Sequence, residues 1–248
     1  MKIFGVLFFC GVMSSPWVAE ARLFDLNNES FASYLTLGYS TSAAKDSLFA
    51  DESNAVSFSK NLASLTGGEF GFLRRTDRVS WRFGLEILKP AALKDVEASD
   101  ASDQVLYKVD SEVMVVNPKF GIDFNFWTKT NSRFFVFTSV GSASVTVDQS
   151  YHALTVAPST DFDSQWKGSG TAVTGGLGFE YGVVDLTSLV FEIGYRNLKI
   201  SKLKYGEDIT DLQGAQQQGG TVLLADGSNR TLDLSGWIAN LSARWWLF

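Results

Sequence analysis

At 248 residues the chain suits one large or two small domains, and 45% of it is hydrophobic. No internal stretch approaches the roughly 18 consecutive apolar residues of a membrane-spanning helix, and 22 glycines and 20 phenylalanines against 4 prolines favour strands over helices. A net charge of −6 argues against a nucleic-acid partner.

The N-terminus has the three parts of an export signal in order. Lys2 supplies the positive region, "IFGVLFFCGVM" the short apolar core, and Ala19-Glu20-Ala21 an A-x-A cleavage site. Residues 1–21 are therefore expected to be removed, leaving one domain over 22–248. Cys10 is the only cysteine and leaves with the signal, so an exported chain without disulfides or thiol chemistry remains.

Beyond the signal the dominant period is two. In "VSWRFGLEIL", Val79, Trp81, Phe83, Leu85 and Ile87 share one face, while Ser80, Arg82, Gly84 and Glu86 share the other. "FGIDFNFW", "GGLGFEYG" and "SLVFEIGYR" alternate in the same way. Eight candidate strands follow in chain order, near 30–41, 61–74, 78–88, 106–127, 133–147, 169–183, 188–204 and 230–248. Asn117-Pro118 is a possible turn within the fourth, but splitting there would spoil the order of the connections, so the segment is kept whole. "TVLLADGSNRTLDL" reads as a hairpin around Asp226-Gly227, extending the last loop and strand beyond the membrane.

The connections alternate in length. "RTDR", "TKTNS" and "VDLT" are tight turns, whereas 42–60, 89–105, 148–168 and 205–229 are long and polar. Short turns at one end and long loops at the other predict an all-β fold, an eight-stranded antiparallel up-and-down transmembrane barrel with both termini on the short-turn side.

Charge decides which face meets lipid. An arginine or lysine facing lipid at mid-membrane costs about 2–4 kcal/mol. Glu69, Arg82, Glu86, Asp123, Glu180, Glu192, Arg196 and Arg244 are therefore assigned to the lumen, where an eight-stranded barrel has just enough room for side chains. Buried charges must be paired, so these residues predict an ionic plug and not an open channel. A soluble barrel would need the opposite arrangement, aromatics inside and charges outside. Trp81, Phe126, Trp127, Phe134, Phe135, Tyr181, Trp245 and Trp246 lie beside the short turns or the C-terminus, and are assigned to a periplasmic aromatic girdle.

With these features assembled, the chain resembles the small outer-membrane barrels of Gram-negative bacteria, of the OmpA/OmpX/OmpW type. The likeness covers nearly all of residues 22–248 and rests on the export signal, "NPKFGIDFNFW", "GGLGFEYG", "LVFEIGYR" and the terminal Phe248. It implies an outer-membrane location, lipid and lipopolysaccharide as neighbours, a monomer, and recognition by the barrel-assembly machinery through Trp246 and Phe248. Ser242 and Arg244 depart from that pattern, which expects apolar residues at both. The apolar parity is instead Trp237, Ala239, Leu241, Ala243, Trp245 and Leu247. Either the last strand is bulged near its end, or Phe248 turns at the interface while Arg244 faces the lumen.

Chemistry finds little support. Some relatives in this fold group are lipid A hydrolases or acyltransferases, which implies a serine and a histidine near the rim. His152 is the only histidine, and Ser150 would share its face in a strand, but no carboxylate is placed by sequence to orient it. Asp95, Glu97, Asp100, Asp103, Asp161 and Asp163 are loop acids able to meet divalent cations, yet solvated acids need no ligand. No zinc, EF-hand, phosphate-loop or nucleotide spacing occurs, so no cofactor is expected. The expectation is a non-enzymatic barrel with a structural, envelope or surface-interaction role. The alternatives are a small pore or hydrophobic-solute channel and, behind it, a lipid A hydrolase using His152.

Overall fold

The computed structural model describes residues 25, 26, 28–44, 48, 56–90, 92–152, 155, 160–224 and 227–247. The expected signal and Phe248 lie outside them. Eight long strands run β1 (Phe31–Thr41), β2 (Ser64–Thr76), β3 (Val79–Leu88), β4 (Val105–Lys129), β5 (Ser132–His152), β6 (Phe162–Val184), β7 (Thr187–Ile200) and β8 (Gly236–Trp246). Each pairs antiparallel with the next. β1 also pairs with β8, from Ala32 opposite Trp246 to Ser40 opposite Ile238, and the ring closes. No helix occurs among the described residues.

Two-residue turns join β2 to β3, β4 to β5 and β6 to β7, while long connections occupy the other end. Both ends of the ring, Phe31 and Trp246, are on the short-turn side. The segment with Asn117-Pro118 is one strand, in which Pro118 sits opposite Leu85 without a break in register. β8 starts at Gly236, later than expected, because Leu232–Asp233 is a separate short strand on β7. The expected hairpin is a turn in which the Leu224 and Gly227 amides close the chain, with Gly227 at φ 82°; Asp226 lies outside the described residues.

The faces have inverted polarity. Leu35, Leu37, Phe70, Phe72, Phe83, Leu177, Phe191, Ile193 and Leu241 are exposed on the outer wall, while Glu69, Arg82, Asp123, Glu180, Glu192, Arg196 and Arg244 are buried inside. This is the polarity of a barrel whose solvent is lipid.

β4 shows where that solvent ends. Its outward residues are Lys108, Asp110 and Glu112, and then, without interruption, Met114, Val116, Pro118, Phe120, Ile122, Phe124 and Phe126. At about 3.3 Å per residue and a tilt of ~40°, the run from Met114 to Phe126 rises about 30 Å, the thickness of a hydrocarbon core. The inward face changes in the opposite sense, from Val109, Val113 and Val115 to Asn117, Lys119, Asp123 and Asn125. β4, β5 and β6 thus outrun the apolar belt. Their upper parts, with strands Leu93–Ser99 and Leu203–Tyr205 added to the wall, enclose an apolar core that includes Val113, Val145, Val147, Leu198, Ile200 and Leu234.

Candidate functional site

The lumen beneath that apolar core is filled by ion pairs. Arg82 Nε lies 2.9 Å from Asp123 Oδ1, and its Nη1 lies 2.6 Å from Glu192 Oε1. Arg244 joins Glu180 at 2.7 Å, Asp123 at 3.4 Å and Glu192 at 3.8 Å. Nearer the long loops, Glu86 accepts from Asn117 Nδ2 at 2.8 Å and lies 3.7 Å from Arg196, whose Nη2 donates to Ser40 at 2.7 Å. All eight residues assigned to the lumen from sequence are inside it.

Two cations in the network escaped the sequence reading. Lys119 lies 2.5 Å from Glu69 and 3.6 Å from Glu86, and Arg133 lies 2.6 Å from Glu180. With them, five carboxylates face five cations. The charge count carried the signal, since the eight assigned residues left five acids against three arginines. Lys119 is also on the polar parity of its strand. Arg133 precedes two phenylalanines at a turn, where parity is ambiguous. Tyr34, donating to Glu69 at 2.5 Å, was missed because a tyrosine reads as membrane-facing.

Two girdle assignments are corrected. Phe135 and Trp246 point into the barrel, and both are almost completely buried. Their rings cover arginines: Arg133 lies 5.7 Å from the Phe135 centroid and 5.3 Å from that of Trp246, and Arg244 lies 5.3 Å from Phe135. Trp246 Nε1 also donates to Ser188 at 3.0 Å and to Glu180 at 3.3 Å. Gly178 makes the inward Phe135 possible, for a Cβ there would overlap the ring. The aromatic doublets Phe134-Phe135 and Trp245-Trp246 therefore obey the period of two, with only their first members outside.

Phe126-Trp127 differs. The β4–β5 register shifts between Asn125 and Trp127, and this bulge leaves both side chains exposed. Trp81 and Tyr181 are exposed on the outer wall as well. At the opposite rim are aromatic residues that the sequence reading assigned to no girdle, Tyr39, Tyr195 and Trp237, the last two in edge contact at 5.8 Å. β8 carries no bulge and Arg244 faces the lumen, which rules out the bulged arrangement of the last strand; the turn expected at Phe248 lies outside the described residues.

A small cavity of about 20 Å³ between Gly67, Glu86 and Arg196 is room for about one water. Higher up, His152 approaches Asp95 at 3.5 Å, and no hydrogen bond joins it to Ser150 among the described residues. Asp95, Asp110 and His152 bring ligand atoms within 4.8 Å of one another, but Asp110 is already accepting from the Asp95 amide at 2.7 Å. In the apolar cap, burial and the Asp211 carboxylate push the Tyr205 phenol well up, so it remains a donor to Asp211 at 2.6 Å.

No family model matches the sequence, and no curated protein matches it closely enough to count as a relative. Among solved structures, the chain is similar to the outer membrane protein OprG from Pseudomonas aeruginosa, at 13% identity and a TM-score of 0.47 over 91% of this chain and 100% of that one. It is similar to a major outer membrane protein from Thermus thermophilus, at 10% identity and a TM-score of 0.48 over 87% and 99%. Ail of Yersinia pestis gives 10% identity and a TM-score of 0.42 over 88% and 99%. At such values the fold rests on the chain's own strand pairing: a closed, eight-stranded antiparallel barrel of the transmembrane type, polar within and apolar without.

Proposed function

We propose that the protein is a plugged, non-catalytic barrel of the bacterial outer membrane, serving envelope structure or surface interaction through its long-loop end. The filled lumen carries this reading. Five acids and five cations bridge the barrel wall from several strands, with an apolar core stacked above them. Moving an ion along that path would mean opening buried charge pairs, and removing one partner of such a pair costs about 3–5 kcal/mol. Lipid and lipopolysaccharide surround the belt, the short turns face the periplasm and the long loops face outward.

Planar-bilayer recording tests the reading. The purified, heat-shifted protein is expected to give no discrete conductance steps in molar salt. Reproducible steps that vanish when the sample is boiled would replace the plugged barrel with the pore reading.

A further inference from the structure

The apolar cap contains a pocket of about 330 Å³ walled by Tyr107, Tyr151, Phe162, Trp166 and Tyr205. That volume is within the range of small-molecule sites. Tyr151 and Phe162 stack at 4.6 Å with 12° between their planes, and Tyr107 leans on Tyr151 at 5.7 Å, so the walls are flat rings held by one another.

The polar groups in this lining are unevenly satisfied. Asp211, the only carboxylate among the described residues of the lining, accepts from the Tyr205 hydroxyl at 2.6 Å, the Gln213 amide at 2.8 Å and Gln216 Nε2 at 3.5 Å. Three other groups are more than nine-tenths buried and have no hydrogen-bond partner among the described residues: Trp166 Nε1, Arg230 Nε and Ser164 Oγ. Arg230 is the only cation among the described residues of the lining, and its guanidinium carbon lies 5.0 Å from the centroid of the Trp166 ring. Buried donors are ordinarily paired, so unpaired ones on three residues of one cavity lining mark a site whose acceptor comes from outside.

We infer that this pocket binds a small planar aromatic carboxylate, its ring against the wall of tyrosine and phenylalanine rings and its carboxylate on Arg230, Trp166 and Ser164. Two N–H groups, one of them cationic, select an oxyanion over a neutral acceptor. The satisfied Asp211 leaves the carboxylate only the Arg230 end. This goes beyond the proposed barrel role and shares with it only the outward orientation of the cap.

The test is calorimetric titration of 2-naphthoate into the protein in phosphatidylcholine nanodiscs, with empty nanodiscs as the blank. One saturable site is expected. Arg230→Met should weaken it about tenfold or more, Trp166→Phe, which keeps a ring and removes the N–H, by roughly threefold to tenfold, and neutral 2-naphthylmethanol should bind about tenfold more weakly than naphthoate. Decanoate, with the same head and no ring, should also bind more weakly. A heat-shifted gel band verifies that each variant is folded, and Trp166→Phe carries the test if Arg230→Met loses that band. Heats equal to the blank, variants that bind like the parent, or decanoate binding as well as naphthoate would each overturn the assignment. None of these outcomes bears on conductance, so the plugged-barrel reading is tested separately.

Discussion

Glu180 joins more of the lumen than any other single side chain near the short turns. It meets Arg133 and Arg244, lies within hydrogen-bond reach of Trp246 and accepts from Ser188. Among the described residues it is the only carboxylate paired with Arg133, which is itself fully buried. Glu180→Gln keeps the shape and removes the charge. It should cost about 3–5 kcal/mol, because a guanidinium is left buried without its counter-ion. The double variant Glu180→Gln/Arg133→Met should recover part of that loss, since it removes the stranded charge as well. Urea unfolding in lipid vesicles, followed by tryptophan fluorescence, gives both values; a double variant as unstable as the single one would show that shape, not charge, holds this layer.

Along one element, β4 changes solvent twice. Its outward face passes from charged to apolar between Glu112 and Met114, and its inward face passes from apolar to polar between Val115 and Asn117. One alternation thus serves two environments, water outside an apolar core above and lipid outside an ionic core below. A depth scan separates them. Phe120→Arg, at the middle of the outward apolar run, should destabilise by about 2–4 kcal/mol, and Glu112→Arg at its edge by no more than ~1 kcal/mol. Equal costs in vesicle unfolding would place the membrane boundary elsewhere on the strand. The same element shows how the register manages aromatic doublets: a bulge turns both Phe126 and Trp127 outward, and without one Phe135 goes inward.

For the molecule as a whole, closure matters most. The pairing of β1 with β8 leaves no edge in the ring, and backbone groups facing lipid are satisfied within it. Such a barrel should resist SDS until heated and run at different mobilities before and after boiling. Unchanged mobility of membrane-extracted protein would argue against a closed ring. In the long-loop half, cohesion comes from an apolar core of the ordinary kind, so this end is expected to lose structure in denaturant independently of the lipid-embedded half. Hydrogen exchange along β5 would show it, with amides near Val145 exchanging before those near Val136.

The period of two, the alternating loop lengths and the positions of the charges were enough by themselves to determine a barrel of eight strands with charge inside, because a strand's faces are set by local geometry and lipid rejects charge. They also placed Glu86, Asp123 and Glu192 correctly, each being flanked by outward apolar residues. Where local parity is ambiguous, sequence was not enough. Whether Phe135 and Trp246 face lipid or cover arginines depends on a register set by distant partners such as Gly178, and the loss of parity beside a turn hid Arg133. Above all, nothing local distinguishes the upper valines of β4 from membrane residues. That they form a cap, and that Trp166, Ser164 and Arg230 line one pocket of it, was decided only by tertiary structure, because those donors come from segments more than sixty residues apart in the chain.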